Sequence, residues 1–274
     1  MITAPATDAI TVERLETSRL TVSARVAGEG ELLLLLHGIT AGAVVWDPVI
    51  ANLSRDHRVV AIDQRGHGAT DHPGSGYSAQ DYVDDVAAVL DVIGPARAVI
   101  GHSLGGRNAI LAGAAMPERI GAVVSIDYAA TIEPGVFSAL REARAAGEGP
   151  LPDVESVHRA IRARSSLLPD DAVERRAHNL YVEQEGGFRP VASAAAIGHT
   201  LESMDADLVP ALRDTRMPTM LMRGSESPFL SEAAFMRSLW LRGDLAGAIV
   251  SGADHFVPEQ QPDEVAELIR RFVA

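Results

Sequence analysis

Residues 96–106, ARAVIGHSLGG, hold a serine in a setting that makes a hydroxyl reactive. Ala98-Val99-Ile100 is a short apolar run between Gly94-Pro95 and Gly101, the pattern of a buried strand. Gly101-His102-Ser103-Leu104-Gly105 fits G-x-S-x-G, and RNAILAGAAM after it has the alanine and leucine content of a helix. A strand that becomes a helix within a few residues leaves no space for side chains beside the turn, hence a glycine on each side. The serine at the tip is then held in a strained backbone, hydroxyl outward, beside the N–H groups that begin the helix. Ser103 is the candidate nucleophile.

Other polar residues carry weaker signals. His37 precedes a turn glycine, which favours a structural hydrogen-bonding role over a catalytic one. Asp63 and His67 lack a third ligand at suitable spacing, so no metal site is expected. Among the 274 residues there is no cysteine, which removes thiolate nucleophiles, disulfides and Cys-based metal sites. All 24 basic residues are arginine, so Schiff-base, pyridoxal and P-loop lysine chemistry are excluded. A net charge of −13 argues against nucleic acid and anionic membranes as partners. MITAPATDAITVERLE has no apolar core of a secretory signal, and no apolar run is long enough to span a bilayer. The expectation is a soluble cytoplasmic protein with a small-molecule substrate and no cofactor, a homodimer being left open.

The elements that must position Ser103 alternate between strand and helix. After a loose leader, Val12–Arg25 reads as an antiparallel edge hairpin. Leu32–Leu36 is five leucines in a row, a strand buried on both faces, ending at His37-Gly38-Ile39-Thr40. A helix over 44–54 contains Trp46, a candidate substrate contact, and Arg58–Asp63 is the next strand. Ser78 to about Ile93 is a helix with Ser78 and Asp81 as a capping pair. Tyr82, Val86, Val89, Leu90 and Ile93 form its apolar face, and its acids read as a solvated one. The serine strand and its helix follow, then a strand over Ala122–Asp127. Such alternation implies an α/β fold with a mostly parallel central sheet, whose sites lie at the carboxyl ends of the strands. His37, Ser103 and Asp127 all fall there.

From 128 to 213 the character changes to arginine- and alanine-rich helical patterns over 136–146, 154–165 and 170–185. This predicts an inserted helical cap, with residues 1–127 and 214–274 forming the core. Alternation resumes with a strand over 219–222 ending at Arg223-Gly224, a helix over 232–241, a strand over 248–250 and a closing helix over 262–272. The last strand leads into Gly252-Ala253-Asp254-His255-Phe256.

Together, HG after the leucine strand, DQRGHG, GHSLGG, the helical insertion and a late GADHF resemble the α/β-hydrolase superfamily along nearly the whole chain. The resemblance implies a Ser–acid–His triad in that chain order, with Ser103 as nucleophile and His255 as base. The backbone N–H groups of Ile39 and Leu104 would form the oxyanion hole. Of the nine histidines, only His255 follows the last strand in a Gly-bounded loop, whereas His158, His178 and His199 lie in the insertion. For the acid, Asp127 is favoured over Glu226, because Ser227 stands where members usually place aspartate. HGIT, DQRGHG, DYVDDVAAVLD, GHSLGGRN and RGSES are similar to the cofactor-free amide hydrolases that open α-(N-acetylaminomethylene)succinate. That likeness implies cap arginines for a dicarboxylate: Arg164, in RARSSLLPDDA, matches one position, while Arg141 and Arg144 are offset from the second.

The function expected is hydrolysis of a carboxylic ester or amide of a small molecule through an acyl-enzyme. Two alternatives stay open: other chemistry on the same fold, such as carbon–carbon bond hydrolysis or perhydrolysis, and a non-catalytic small-molecule receptor. A dehalogenase is disfavoured, since it would need a carboxylate at position 103.

Overall fold

The five leucines at 32–36 set the middle of the molecule. In the computed structural model, which describes residues 10–133, 135–145 and 149–274, they form a strand. Leu32, Leu34 and Leu36 pack into one apolar layer, Leu33 and Leu35 into another on the opposite face. A strand covered on both sides needs no polar alternation, so its sequence reads as continuous leucine.

The strands in chain order are β1 (Thr11–Glu16), β2 (Thr21–Ala27), β3 (Leu32–Leu36), β4 (Arg58–Ile62), β5 (Ala98–His102), β6 (Val123–Ile126), β7 (Tyr181–Gln184), β8 (Gly187–Pro190), β9 (Thr219–Gly224) and β10 (Ala246–Val250). Eight of them make one sheet ordered β1-β2-β4-β3-β5-β6-β9-β10. β2 is antiparallel to both its neighbours, and every other adjacent pair is parallel. In register, Leu36 faces Ile62 and Gly101, His102 faces Ile126, and Ile126 faces Met222. The parallel strands therefore end nearly level, and the loops that follow them share one edge of the sheet.

The helices are α1 (Asp47–Leu53), α2 (Ala79–Ile93), α3 (Leu104–Ala115), α4 (Val136–Ala145), α5 (Val154–Arg164), α6 (Asp170–Leu180), α7 (Ala194–Glu202), α8 (Val209–Asp214), α9 (Glu232–Leu239), α10 (Val257–Gln260) and α11 (Pro262–Val273). α2 and α3 cover the Leu34 face through Val86, Val89, Leu90, Ala109 and Ile110. α1 and α11 cover the Leu35 face through Ile50, Leu53, Val265 and Ile269. The expected helix over 44–54 is split into a 3-10 turn, Ala43–Trp46, and α1, which Pro48 opens. At the start of α2, Ser78 and Asp81 form the expected reciprocal cap. The solvated-face reading of the α2 acids fails at Asp85. It is buried and paired with the buried Arg65 at 2.5 Å, because a guanidinium taken out of water needs a counter-charge.

Residues 128–213 run between β6 and β9 and carry α4 to α8. The helix expected over 170–185 stops at Leu180. Beyond it β7 turns at Gly186-Gly187, both at positive φ, and pairs antiparallel with β8. α7 and α8 are further elements that sequence periodicity did not pick out. α5 and α6 bury Val157, Ile161, Leu168, Ala172 and Val173 as a cluster apart from the two sheet layers. Ala146, the end of the first expected insertion helix, lies outside the described residues. No helix among the described residues is long and apolar enough to cross a membrane.

Candidate active site

Ser103 stands at the junction of β5 and α3 with φ 54° and ψ −117°, a conformation that disfavours any side chain. The turn is tight enough to demand its glycines. A Cβ on Gly101 would lie 1.9 Å from the Gly105 carbonyl oxygen, and one on Gly105 would lie 2.1 Å from that of Leu36. The Ser103 N–H donates to Ile126 O at 2.9 Å, which ties the turn to the end of β6. One residue further along, Asp127 also has positive φ, 51°, and its N–H donates to Met222 O at 2.8 Å. Three strand ends are thus locked to one another around the serine.

His255 comes from the loop after β10. Its Nδ1 lies 2.7 Å from Asp127 Oδ2 and its Nε2 lies 3.1 Å from Ser103 Oγ. A carboxylate only accepts, so Nδ1 carries the proton and the Nε2 lone pair faces the serine hydroxyl. Asp127 is fully buried and accepts two further bonds, from the Ser227 hydroxyl at 2.6 Å and from Gly224 N–H at 3.2 Å. Ser227, standing where the resemblance leads one to expect an aspartate, is thus a donor to Asp127 at the end of the neighbouring strand. Glu226 is exposed and accepts from its neighbour Ser225 at 3.3 Å.

A residue that sequence reasoning passed over, His102, holds His255 in place. It is buried, its Nε2 lies 2.6 Å from the His255 backbone oxygen, and its ring is 4.8 Å from the His255 ring. Burial holds its pKa well below that of a free imidazole, with the neighbouring His255 adding to the effect, so it is neutral and donates from Nε2. Its only sequence signal was its place as the first variable residue of G-x-S-x-G. Phe229, with its ring 4.6 Å from that of His255, is a second such neighbour.

Among the described residues, neither the Ile39 nor the Leu104 N–H is taken up by a protein acceptor. Leu104 opens α3, so its N–H is one that no intrahelical carbonyl can reach. Ile39 lies in a turn from Gly38 to Ala41, with Ala41 N donating to Gly38 O at 3.2 Å and Thr40 at φ 61°. His37 takes the structural role expected of it. It is buried, its Nδ1 lies 2.7 Å from Gly38 O, and burial lowers its pKa to about 4. Asp63 likewise serves the loops, accepting from Ala43 N–H at 2.7 Å and Ala69 N–H at 3.1 Å.

The segment between β6 and β9 reaches this edge of the sheet at several points. Arg164, at the end of α5, donates to Thr40 Oγ1 at 2.8 Å, beside Ile39. Arg176 on α6 forms a buried pair with Glu259 on α10, and its guanidinium carbon lies 4.7 Å over the Phe256 ring. Arg141 donates to Leu201 O at 2.9 Å and to Asp205 at 3.2 Å, so it is engaged within the insertion, while the Arg144 side chain lies outside the described residues. The expected substrate contact at Trp46 is not met. Trp46 is fully buried in the apolar layer beneath α1, where its ring serves packing. A cavity of about 360 Å³ opens among Tyr128, Phe137, Arg141 and Asp205, and Phe229 is in ring contact with both its lining residue Phe137 and His255.

Residues 33–268 match the Alpha/beta hydrolase family. The 2-(acetamidomethylene)succinate hydrolase of Mesorhizobium japonicum is 38% identical over 98% of this chain and 97% of its own. A crystal structure of E-2-(acetamidomethylene)succinate hydrolase superposes with a TM-score of 0.91 at 37% identity, covering 97% of this chain and 99% of that one. The esterase YbfF of Escherichia coli is 26% identical over 88% of this chain and 92% of its own. A serine at a strand-to-helix turn, the eight-stranded order and these relatives agree: the chain belongs to the alpha/beta hydrolase family and is a hydrolase.

Proposed function

We propose that the protein is a cofactor-free serine hydrolase that cleaves a small amide or ester through an acyl-enzyme. The observation that carries this is the unbroken line from Asp127 through His255 to Ser103, at 2.7 and 3.1 Å. A serine hydroxyl is a weak nucleophile until a positioned base takes its proton. As Ser103 Oγ attacks the substrate carbonyl carbon, its proton passes to His255 Nε2. The buried Asp127 carboxylate stabilises the imidazolium that forms. The carbonyl oxygen becomes an oxyanion between the Ile39 and Leu104 N–H groups, each such donor being worth about 3 kcal/mol in the transition state. When the tetrahedral species collapses, His255 returns the proton to the departing amine or alcohol, leaving an ester on Ser103. Water then repeats the sequence, its proton going to His255 and its oxygen to the acyl carbon, and the carboxylic acid leaves.

The substrate class proposed is an amide of the 2-(acetamidomethylene)succinate type, after the relative that matches nearly end to end. Arg164, which bonds Thr40 beside the oxyanion turn, is the arginine we assign to a substrate carboxylate. Residues 128–213 act as the cap over a core of 1–127 and 214–274. A fluorophosphonate should label Ser103 and no other residue. Ser103→Ala should lower turnover by several orders of magnitude and leave the fold intact, since nucleophile and base act as a unit. Assay of 2-(acetamidomethylene)succinate beside a p-nitrophenyl ester series reads the substrate class. A folded Ser103→Ala protein keeping a tenth of its activity would sink the assignment.

A further inference from the structure

We infer that Gln64 and Asn108 are positioning residues for this hydrolysis: they aim the Ile39 N–H at the developing oxyanion by clamping His37 and Gly38. The inference rests on the serine-hydrolase reading above and adds to it two residues that touch neither substrate nor triad.

The direction of the Ile39 N–H is fixed by the Gly38–Ile39 peptide plane, in which C=O and N–H point opposite ways. Holding the Gly38 oxygen therefore aims the Ile39 hydrogen. That oxygen is held twice, by Ala41 N–H at 3.2 Å and by His37 Nδ1 at 2.7 Å. The second hold works only if Nδ1 carries the proton. Gln64 ensures it, because its backbone N–H donates to His37 Nε2 at 3.0 Å, and an accepting Nε2 in a neutral ring leaves the proton on Nδ1. Burial keeps that ring neutral.

The Gln64 side chain completes the clamp. Its Nε2 donates to the His37 backbone oxygen at 2.6 Å, so both polar ends of His37 are tied to one residue. With Nε2 turned that way, Oε1 must face a donor, and Asn108 Nδ2 supplies it at 2.7 Å. Asn108 Oδ1 in turn accepts from Arg107 Nε at 3.1 Å, which fixes the orientation of the second amide as well. Gln64, Arg107 and Asn108 are all buried, where a misdirected amide has no water to turn to.

The position of Asn108 gives the chain its use. It lies on α3, the helix whose first residue, Leu104, offers the other oxyanion N–H. Ile39 belongs to the loop after β3. The bonds from Asn108 to Gln64 and from Gln64 to His37 thus tie the helix bearing one donor to the loop bearing the other, and set the spacing between the two N–H groups. Donors aimed before the reaction begins stabilise the oxyanion without having to reorganise.

The test compares Asn108→Asp and Gln64→Glu with the unaltered enzyme. Each is nearly isosteric and replaces one donating amide group by an acceptor. Turnover and KM are measured on two substrates with different acyl groups, together with the rate of fluorophosphonate labelling at Ser103, whose phosphoryl oxygen uses the same donors. Deleting an oxyanion donor outright costs about 10²–10³ in kcat, so misaiming one should cost about 10- to 100-fold. KM should stay within about twofold for both substrates, and labelling should slow in step with kcat. Ile269→Ala, in α11 on the opposite face of the sheet from α3, lowers the Tm as a matched control and should leave kcat unchanged. Asn108→Ser is the variant to read if the aspartate form does not fold. The inference is overturned if folded variants keep kcat within twofold, if the loss appears in KM, or if Ile269→Ala shows the same loss. Activity that survives Ser103→Ala would instead overturn the serine-hydrolase reading, and this inference with it.

Discussion

Replacing Asp127 by asparagine tests the triad most sharply, because the structure gives the new amide only two ways to sit. The carboxylate accepts from His255 Nδ1 and the Ser227 hydroxyl at Oδ2, and from Gly224 N–H at Oδ1. With the NH2 group at the Oδ1 position, two donors meet head-on in a fully buried site, at a cost of roughly 1–3 kcal/mol. With NH2 at the Oδ2 position, the Ser227 hydroxyl rotates to accept. His255 Nδ1 must then also accept, and its proton moves to Nε2, against Ser103. The second orientation strands one donor, the Ser227 O–H, whose oxygen also accepts from the Phe229 and Leu230 N–H groups, against two in the first, so it prevails. It costs some stability and removes the group that takes the serine proton. The expected loss is about 10⁴ in kcat, or about 5.5 kcal/mol of transition-state stabilisation, with KM little changed. Steady-state hydrolysis of p-nitrophenyl acetate gives the rate, thermal unfolding gives the stability, and nitrogen NMR of His255 reads the tautomer. Glu226→Gln, at an exposed side chain, should cost less than about tenfold, the range of an altered surface field rather than a lost tautomer. A folded Asp127→Asn protein that keeps a tenth of its activity, or a larger loss at Glu226, would refute this account of the acid.

Arg164→Ala should lower kcat/KM about ten- to a hundred-fold for a carboxylate-bearing substrate, the loss of one charge-assisted bond, and leave neutral p-nitrophenyl esters nearly unaffected; equal losses on both would assign Arg164 to packing. Acid should weaken the fold through His37 and His67, whose pKa values burial lowers from 6.5 to about 4 and about 3. The unfolded chain binds these protons and the folded one does not, so their contribution is whole above pH 6.5 and falls away as the pH drops towards 4. The loss from His37 alone is on the order of 3 kcal/mol, and a urea midpoint that does not move between pH 7 and pH 4 would count against it. Gly105→Ala should prevent folding, since its methyl would press on the Leu36 backbone 2.1 Å away, whereas Gly198→Ala in α7 meets nothing within 4 Å and should keep or raise the Tm. Soluble Gly105→Ala protein with an unchanged Tm would disprove the close approach.

What the sequence disclosed was set by local signals strong enough to stand alone. The leucines of β3 and the glycines around Ser103 each answer to one dominant constraint, burial on two faces and a tight turn, so both were legible without the fold. The choice of Asp127 rested on a position at a strand end and on a serine standing where an acid was usual. The distances now join Asp127 to His255. Trp46 misled because an aromatic residue near a turn at a strand end looks the same in sequence whether it faces a cavity or a helix. Asp85 misled for a related reason: its partner, Arg65, is twenty residues away in a loop, and no helical period encodes that meeting. The β7–β8 hairpin was read as helix because Tyr181–Gln184 has no strong alternation, and only the Gly186-Gly187 pair marks its turn. Gln64 and Asn108 left no local trace at all, and His102 only its place in G-x-S-x-G, since what matters about them is which groups the fold brings within reach.

Thr40, Ser103 and Asp127 are the described non-glycine residues with positive φ, at 61°, 54° and 51°, and all three lie where strands of the sheet end beside the site. Each such conformation costs an ordinary side chain about 1–2 kcal/mol. An engineering campaign that ranked variants by heat resistance alone would meet this cost as an opportunity. Glycine at position 40 or 103 relaxes the backbone, and at 103 it does so by deleting the hydroxyl proposed as nucleophile. Asp127 is protected from that drift, because shortening it would strand the Ser227 hydroxyl and the Gly224 N–H without an acceptor. A library built to harden this protein therefore has to hold positions 40 and 103 fixed, or carry an activity filter through every round.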